Sequence, residues 1–245
     1  MAADHVGAGR LRFPNRTSTN SISALTGLAT PAMPCAMSGF LSYLIENGHG
    51  LPRNPLKALV APRPIGWIST RSAAGVLNVA PYSFFNMVCD SPPLIAFSSG
   101  GRKDSLCNAQ ERGEFVWNLV SRPLAEKMNQ TSALVGPEVD EFSLAELTPA
   151  PGIAIDTPRV AESPAALECR VTQIIRLTGL DGTEADQWLT IGQVLAVHIR
   201  EDLIKDGLFD TGAAQPVMRA GYAADYAGID AGAMFKMRRP DPGAA

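Results

Sequence analysis

The six residues GGRKDS at positions 100–105 have the composition of an anion-binding site. The two glycines let the backbone approach a ligand closely, because neither carries a Cβ atom. The arginine and the lysine add positive charge, and Ser105 adds a hydroxyl group that can donate a hydrogen bond. A helix is predicted to begin here, and the unpaired N–H groups of a helix start attract anions. We therefore predict a phosphate site, although the segment lacks the GxxxxGK[ST] spacing of a Walker A loop.

The same segment has a second interpretation, as a solvated loop that simply starts a helix. Asp104 is expected to cap this helix, since its carboxylate oxygens can accept bonds from the first-turn N–H groups. The helix is predicted over Ser105 to about Arg112, and Gly113 is predicted to end it. Arg63 is a second candidate cation for the phosphate, with a position on the surface as its alternative.

Polar side chains on two predicted neighbouring strands could bind the remainder of such a ligand. Hydroxyl and amide groups alternate there with apolar residues, at Ser69, Thr70, Asn78 and Ser83. They suit the polar chain and the ring heteroatoms of a flat, phosphorylated compound. Three aromatic residues, Tyr82, Phe84 and Phe85, could form a wall beside the ring, and packing in the core is the alternative for each.

No arrangement of side chains in the sequence is typical of acid–base, nucleophilic or metal catalysis. We find no Ser/His/Asp triad pattern, no paired carboxylate motif and no GxGxxG fingerprint. The four cysteines and three histidines are scattered, without the spacing of a zinc site or a disulfide framework. His198 is interpreted as structural, and Trp117 and Trp188 as core residues. We predict no catalytic side chain and no metal, and the cysteines favour a reduced intracellular setting.

The composition is that of an ordinary globular protein. The chain has 245 residues, 46% hydrophobic and 18% charged, which is enough for one sizeable domain. Its formal net charge of −3 gives no electrostatic reason to bind nucleic acid or an anionic membrane. The sequence has no apolar run of about 18 residues, so no transmembrane helix is predicted. We expect a cytoplasmic protein.

Residues 1–36 differ in composition from the rest of the chain. They contain three arginines, one acidic residue and a run rich in serine, threonine and asparagine, without hydrophobic periodicity. An organellar transit peptide has a similar composition. We favour a disordered leader, or a start codon upstream of true initiation at Met33 or Met37. The domain is therefore predicted over residues 37–245.

Period-two alternation predicts strands over much of that domain. Successive residues of Ile65–Thr70 face opposite sides. Leu77–Met87 contains Pro81, which cannot donate a ladder hydrogen bond, so this strand is expected at an edge or with a bulge. Two long strands follow, Ala166–Thr178 and Trp188–Arg200. The result is a mainly β fold, a partly closed antiparallel barrel with a few short peripheral helices, and a sandwich is the alternative.

Three motifs occur in order: PRPIGWIST (62–70), NVAPYSFF (78–85) and RKDS (102–105). With these gaps they resemble the flavin reductase-like family of FMN-binding split β-barrel proteins, which includes flavoredoxin-type electron carriers and short-chain flavin reductases. The resemblance continues more loosely through EFVWNL, VDEFSLAELTPAPG and LTIGQVLAVHI, and covers about Gly48 to the C-terminus. It implies an FMN-binding split β-barrel of Greek-key type.

The resemblance also implies a cofactor, FMN, with FAD as the alternative. The NVAPYSFF segment would lie beside the isoalloxazine ring. The complete set of predicted cofactor contacts is Arg63, Ser69, Thr70, Asn78, Ala80, Pro81, Tyr82, Ser83, Phe84, Ser98, Arg102, Lys103, Asp104 and Ser105. The segment Arg219–Tyr222 resembles a C-terminal family signature near the flavin, where it could close over the ring or pack across a dimer interface.

The activity implied by the resemblance is that of an FMN-dependent oxidoreductase of flavin reductase type. NADH or NADPH would pass a hydride to flavin N5, and electrons would continue to a partner oxygenase or another acceptor. A homodimer is expected. The alternatives are a non-enzymatic electron carrier, a flavin-binding protein without nicotinamide activity, and a barrel whose flavin site has lapsed. No motif marks a nicotinamide subsite, so the sequence does not separate them.

Overall fold

Residues 39–240 of the chain are described in a computed structural model. The predicted leader, residues 1–36, lies outside the described residues. The chain divides into two units after Gly50. The described part of the first unit carries a 3-10 turn at Ile45–Asn47, and all the strands and α-helices given below belong to the second.

The strands of the second unit are short except for two. In chain order they are β1 (Arg63–Pro64), β2 (Gly66–Arg71), β3 (Leu77–Tyr82), β4 (Phe85–Cys89), β5 (Leu94–Gly100), β6 (Glu114–Asn118), β7 (Pro149–Ala150), β8 (Arg159–Val160), β9 (Ala165–Thr178), β10 (Glu184–Ile199), β11 (Ile204–Lys205), β12 (Leu208–Phe209), β13 (Val217–Arg219) and β14 (Tyr226–Gly228).

The helices of this unit are few and short, as predicted. They are α1 (Leu56–Leu59), α2 (Asp104–Arg112), α3 (Ala125–Gln130), α4 (Glu141–Leu144) and α5 (Thr211–Ala214), with 3-10 turns at Arg122–Leu124, Glu201–Leu203 and Ala231–Ala233. Among the described residues, no helix has the length and apolar character needed to cross a membrane.

Seven strands form one antiparallel sheet in the order β3-β2-β6-β9-β10-β5-β4. The hairpin of β9 and β10 is its longest part, with 14 and 16 residues. Register shifts interrupt this hairpin at three points, and such bulges increase the local twist of a sheet. The sheet therefore curls into a half-barrel, which confirms the predicted mainly β, partly closed architecture.

Both faces of the sheet are buried at strand β2. Trp67 packs in a cluster with Phe142 of α4, and its neighbour Ile68 packs in a separate cluster with Phe97 of β5. All four side chains are almost completely inaccessible. Successive residues of β2 thus face opposite sides, as the alternation predicted.

The predicted strand Leu77–Met87 is two strands rather than one. The chain leaves β3 at Ser83 and Phe84 and enters β4, which lies at the opposite edge of the seven-stranded order. Pro81 accordingly lies in an edge strand, where its missing N–H costs no ladder bond. Because only two residues join them, the two edge strands lie close together at this end of the curled sheet.

Trp188 is not a core residue, contrary to the prediction. Its indole ring is half-buried between two guanidinium groups, with Arg102 Cζ at 5.5 Å and Arg176 Cζ at 5.4 Å from the ring centroid. Trp117 is also only partly buried, and it stacks on Phe85 at 5.6 Å between centroids. Both tryptophans therefore contact polar or peripheral groups as well as the barrel.

Three cysteines fall within the described residues, and none of the three forms a disulfide. Cys169 is buried, and burial raises the pKa of its thiol. Cys89 and Cys107 are only half-buried.

Candidate functional site

A cavity of about 460 Å³ opens where β3 ends, beside β5, the start of α2 and residues 131–135. Its lining combines hydroxyl, amide, charged and apolar groups. The lining residues are Lys57, Asn78, Ala80, Pro81, Tyr82, Ser83, Phe84, Ser98, Gly100, Lys103, Asp104, Ser105, Thr131, Ser132, Ala133, Leu134, Val135, Glu141 and Gln187. A volume of this size is within the usual range for small-molecule sites.

Most of the predicted contacts are brought together here. The cavity is lined by Asn78, Ala80, Pro81, Tyr82, Ser83, Phe84, Ser98, Lys103, Asp104 and Ser105. The four predicted residues outside its lining are Arg63, Ser69, Thr70 and Arg102. Sequence segments that are distant along the chain, 78–84 and 103–105, therefore meet at one site.

The helix at the cavity begins one residue earlier than predicted. Lys103 is the N-cap residue of α2 and Asp104 is already helical, so the prediction that Asp104 caps the helix is wrong. No side chain of the described residues accepts from the first-turn N–H groups of α2. Those groups therefore remain available to an acceptor, as the predicted phosphate site requires. Gly113 ends the helix in the left-handed conformation (φ 69°), as predicted.

Arg102 points away from the cavity. Its Nη2 donates to Gln110 Oε1 at 3.0 Å, and its guanidinium lies over the Trp188 ring. The neighbouring Lys103 is exposed and lines the cavity instead. Only one of the two adjacent cations can therefore meet a ligand directly in this arrangement.

The side chain of Arg63 is buried and holds the end of α1. This helix carries Lys57, a cation that was not predicted from the sequence. Arg63 Nη1 donates to the carbonyl oxygens of Lys57 and Val60, in and directly after α1. Lys57 lines the cavity, with Nζ at 5.7 Å from the ring centroid of Phe84. Lys57 belongs to no recognisable motif, so only the fold reveals it.

Ser69 and Thr70 lie behind the cavity wall. Ser69 is completely buried and donates to the carbonyl oxygen of Pro158 at 2.7 Å. Thr70 Oγ1 donates to Asn78 Oδ1 at 3.0 Å, so it supports a residue that lines the cavity. Neither hydroxyl reaches the cavity itself.

A buried polar network forms one wall of the site. Asn78 Nδ2 donates to Glu141 Oε1 at 2.9 Å, and Asn78 Oδ1 accepts from Ser105 Oγ at 2.7 Å. Burial raises the pKa of the Glu141 carboxyl, an effect that the hydrogen bonds donated by Asn78 and Val79 oppose. Burial likewise raises the pKa of Tyr82. Glu141 was missed in the sequence because nothing local distinguishes it from a solvated helix residue.

The remaining walls are more open. Gln187 of β10 donates from Nε2 to Ser98 Oγ at 2.7 Å, which fixes that hydroxyl at the rim. Phe84 and Leu134 are exposed, at 44% and 94% of their surfaces. Exposed apolar side chains beside a polar cavity suit a flat ring that keeps one face accessible.

Two other candidates from the sequence are held by structural contacts. His198 Nε2 lies 2.5 Å from Glu168 Oε1, and Glu168 is fully buried. The guanidinium of Arg219 lies 4.6 Å from the Tyr226 ring centroid and donates to the carbonyl oxygen of Ala223. Neither residue lines the cavity. Among the described residues there is no group of three or more potential metal ligands.

The charges at the cavity are balanced. Lys57 and Lys103 are opposed by Asp104 and Glu141. The first-turn N–H groups of α2 add a local positive potential that side-chain charges alone do not supply. The donor set fits a mononucleotide whose phosphate meets the helix start and whose ring lies against the apolar wall.

Comparisons with known proteins point to one family. The profile described as "Flavin reductase like domain" matches residues 59–217, more than half of the chain. An uncharacterized protein of Halalkalibacterium halodurans is 41% identical over 165 residues, 65% of this chain and 78% of that protein.

Solved structures agree with this result. Nitrilotriacetate monooxygenase component B from Bacillus cereus has a TM-score of 0.69 and 33% identity, over 76% of this chain and 98% of that one. Flavoredoxin of Desulfovibrio vulgaris (Miyazaki F) has a TM-score of 0.65 and 25% identity, over 75% and 94% of the two chains. With its split-barrel sheet and its matched segment, the chain belongs to the flavin reductase-like domain family.

Proposed function

We propose that this protein is an FMN-binding oxidoreductase of flavin reductase type that uses NADH or NADPH as its electron donor. The observation that carries the proposal is the joint lining of one cavity by an uncapped helix start, by Lys103 and by the exposed ring of Phe84. The first two suit a phosphate, and the third suits a flat ring. Family membership supports the choice of a flavin as the ligand.

The chain's own residues bind and orient the cofactor in this proposal. The first-turn N–H groups of α2 and Lys103 are assigned to the phosphate, and Asn78, Ser83 and Ser98, which line the same cavity, are assigned to the polar chain. FMN held there would supply the redox chemistry, which is transfer of electrons from the nicotinamide to an acceptor. No side chain is needed as a nucleophile or base.

The acceptor is proposed to be a partner oxygenase. Support comes from the similarity to a protein named as a component of nitrilotriacetate monooxygenase. We also propose a cytoplasmic homodimer. Leu195, Val197 and Ile199 occupy alternate positions of β10 and are all exposed, which gives one face of this strand an apolar stripe that no other described residue covers.

A second candidate function is that of an electron carrier that holds FMN without reacting with a nicotinamide. The similarity to a flavoredoxin favours it. The two functions differ in one measurable property, because only the reductase oxidises NADH or NADPH.

The test is an anaerobic titration of FMN-loaded protein with NADH and with NADPH, followed by the flavin absorbance near 450 nm. Stoichiometric bleaching by either donor supports the reductase. Bleaching by dithionite but by neither nucleotide indicates the carrier. Protein that neither copurifies with flavin nor quenches the fluorescence of added FMN would overturn both.

A further inference from the structure

A buried carboxylate lies in the wall of the proposed flavin cavity. Glu141 is the first residue of α4, and only 4% of its surface is exposed. Its Oε1 accepts from Asn78 Nδ2 at 2.9 Å, and its Oε2 accepts from the backbone N–H of Val79 at 3.3 Å. Each carboxylate oxygen therefore receives its own donor. An ionised carboxylate can serve both, because it has two acceptor oxygens and no hydrogen.

This contact gives the Asn78 amide one orientation. With Nδ2 turned to Glu141, Oδ1 accepts from Ser105 Oγ at 2.7 Å and from Thr70 Oγ1 at 3.0 Å. Thr70 in turn accepts from Asn108 Nδ2 at 3.1 Å. The hydrogens of Thr70 and Ser105 thus point to Asn78 Oδ1, and those of Asn78 and Val79 point to Glu141. Nδ2 carries a second hydrogen, and Asn78 lines the cavity.

A neutral side chain at position 141 would reverse these directions. The N–H of Val79 is fixed by the backbone of β3, so it would keep the one remaining acceptor oxygen. The other terminal atom of residue 141, now a donor, would face Asn78 and would favour the turned-over amide. Asn78 Oδ1 would then be directed to residue 141, and Nδ2 would be directed to Ser105 and Thr70.

We propose that Glu141 is a positioning residue for the flavin. Its ionised carboxylate holds Asn78 so that the amide offers an N–H donor to an acceptor atom of the cofactor, and protonation of Glu141 weakens flavin binding. The inference rests on the proposed function, since it takes a flavin as the ligand. Acceptor oxygens and nitrogens predominate on a flavin, so a donor at the wall is the complementary group.

Several charged or titratable groups surround Glu141. Asp104 faces it from α2 and Tyr82 from β3, while Lys57 and Lys103 line the same cavity. On its own helix, Asp140 accepts from the N–H groups of Phe142 and Ser143. Burial raises the pKa of Glu141, and the charge of Asp104 raises it further. Flavin affinity is therefore at its maximum above this raised pKa, and it falls as the pH decreases through the pKa.

The test compares Glu141→Gln with Glu138→Gln, which makes the same chemical change at an exposed residue outside the cavity lining. At about pH 7.5 we expect Glu141→Gln to raise the dissociation constant for flavin about fivefold to tenfold, which corresponds to one hydrogen bond. Glu138→Gln should leave it unchanged. The decline in affinity on acidification should be present in the unsubstituted protein and absent from Glu141→Gln.

Riboflavin is titrated in parallel with FMN, because a phosphate monoester takes up a proton near pH ~6 and would change the FMN profile by itself. A second variant tests whether Glu141 acts through Asn78. In an Asn78→Ala background, Glu141→Gln should weaken flavin binding no further.

Stability provides a readout that does not need the ligand. A raised pKa in the folded protein means that Glu141 contributes stability below its unfolded pKa, and that this contribution is lost as the pH rises through the folded value. The melting temperature of flavin-free Glu141→Gln should thus equal or exceed that of the unsubstituted protein at about pH 7.5. Any difference between the two melting temperatures should disappear on acidification towards pH ~4.5.

Weaker flavin binding without lower stability is the expected combination. Equal affinity and an equal pH profile in the unsubstituted protein and Glu141→Gln would overturn the inference. So would parallel losses of affinity and stability, which indicate a role in folding alone. A lack of flavin binding by the unsubstituted protein would instead overturn the proposed function, and the stability comparison would still test the network.

Discussion

The hydroxyl of Ser105 donates to Asn78 Oδ1 across 2.7 Å, which joins the first turn of α2 to strand β3. Ser105 is 1% exposed, and its hydrogen is committed to this bond. In the proposed complex, the phosphate is therefore assigned to the backbone N–H groups of the helix start and to Lys103. This division of roles leads to the predictions that follow.

Lys103→Ala should weaken FMN binding about tenfold and leave riboflavin binding nearly unchanged. The ammonium group addresses the phosphate, and a charge-assisted hydrogen bond contributes about 1.5–3 kcal/mol. Fluorescence quenching titrations with both flavins measure the effect. Without ligand, the substitution should leave the free energy of unfolding unchanged or raise it slightly, because a cation at a helix start opposes the helix dipole.

Arg102→Ala is the matched control for that substitution. Arg102 is also a cation, one residue earlier, but its guanidinium contacts Gln110 and Trp188. We expect a change of less than about twofold in FMN affinity and a stability cost of about 0.5–1 kcal/mol from the lost cation–π contact. If Arg102→Ala weakened FMN binding as much as Lys103→Ala, the assignment of the phosphate to Lys103 would be incorrect.

Asp104→Asn should strengthen FMN binding and have little effect on riboflavin. Asp104 lines the cavity in the first turn of α2 without capping the helix, so its negative charge would repel a phosphate bound there. We expect a gain of about twofold to fivefold at low salt that declines as the salt concentration rises. The helix should lose about 0.3–1 kcal/mol, because an acidic residue in the first turn favours the helix dipole. A weaker FMN complex would show that Asp104 is a direct ligand of the cofactor.

Ser83→Ala should weaken FMN and riboflavin to a similar degree. Ser83 lies on the two-residue connection between β3 and β4 and lines the cavity, where it is assigned to the part that both flavins share. The loss of one neutral hydrogen bond corresponds to about 0.5–1.5 kcal/mol. Isothermal titration calorimetry with each flavin would measure the change in affinity. A loss of affinity for FMN alone would show that Ser83 contacts the phosphate instead.

Glu168→Gln should destabilise the fold without changing flavin specificity. The buried carboxylate accepts from the N–H groups of Ile153, Ala154 and Ile155 and contacts His198. Each carboxylate oxygen accepts from at least one backbone N–H, so the NH2 group of a glutamine here would face a donor in either orientation. We expect a cost of about 3–5 kcal/mol in the free energy of unfolding. Denaturant unfolding at neutral pH measures this loss.

The contribution of Glu168 to the free energy of unfolding depends on pH. Burial opposes ionisation of Glu168, but the bonds from His198 and the three backbone N–H groups outweigh it and lower the pKa of the carboxyl. Its stabilising contribution is therefore complete above the unfolded pKa and is lost as the pH falls through the lower folded value. Glu168→Gln should flatten the acid side of the stability profile, and an unchanged profile would contradict this.

The sequence predicted the fold and most of the cavity lining because local patterns carry that information. The alternation of residues that face opposite sides predicted the strands. The motifs at 78–85 and 102–105 contain most of the predicted residues that line the cavity. The helix start was displaced by one residue, so Lys103 rather than Asp104 is the N-cap. Such boundaries depend on backbone detail that a pattern does not contain.

The remainder of the site depends on contacts between distant residues. Arg102 turns away because Trp188, 86 positions later in the sequence, offers its ring to the guanidinium. Lys57 and Glu141 reach the cavity because α1 and α4 pack beside β3 and Phe84. Neither residue differs locally from a solvated surface charge, so no spacing rule could have identified them.

The most direct test of the proposed phosphate site is to measure the dissociation constants of FMN and riboflavin for the unsubstituted, flavin-free protein in one buffer. We predict that FMN binds at least about tenfold more tightly, since the helix start and Lys103 contact a group that riboflavin lacks. Equal affinity for the two flavins would contradict the central claim that this cavity is built around a phosphate.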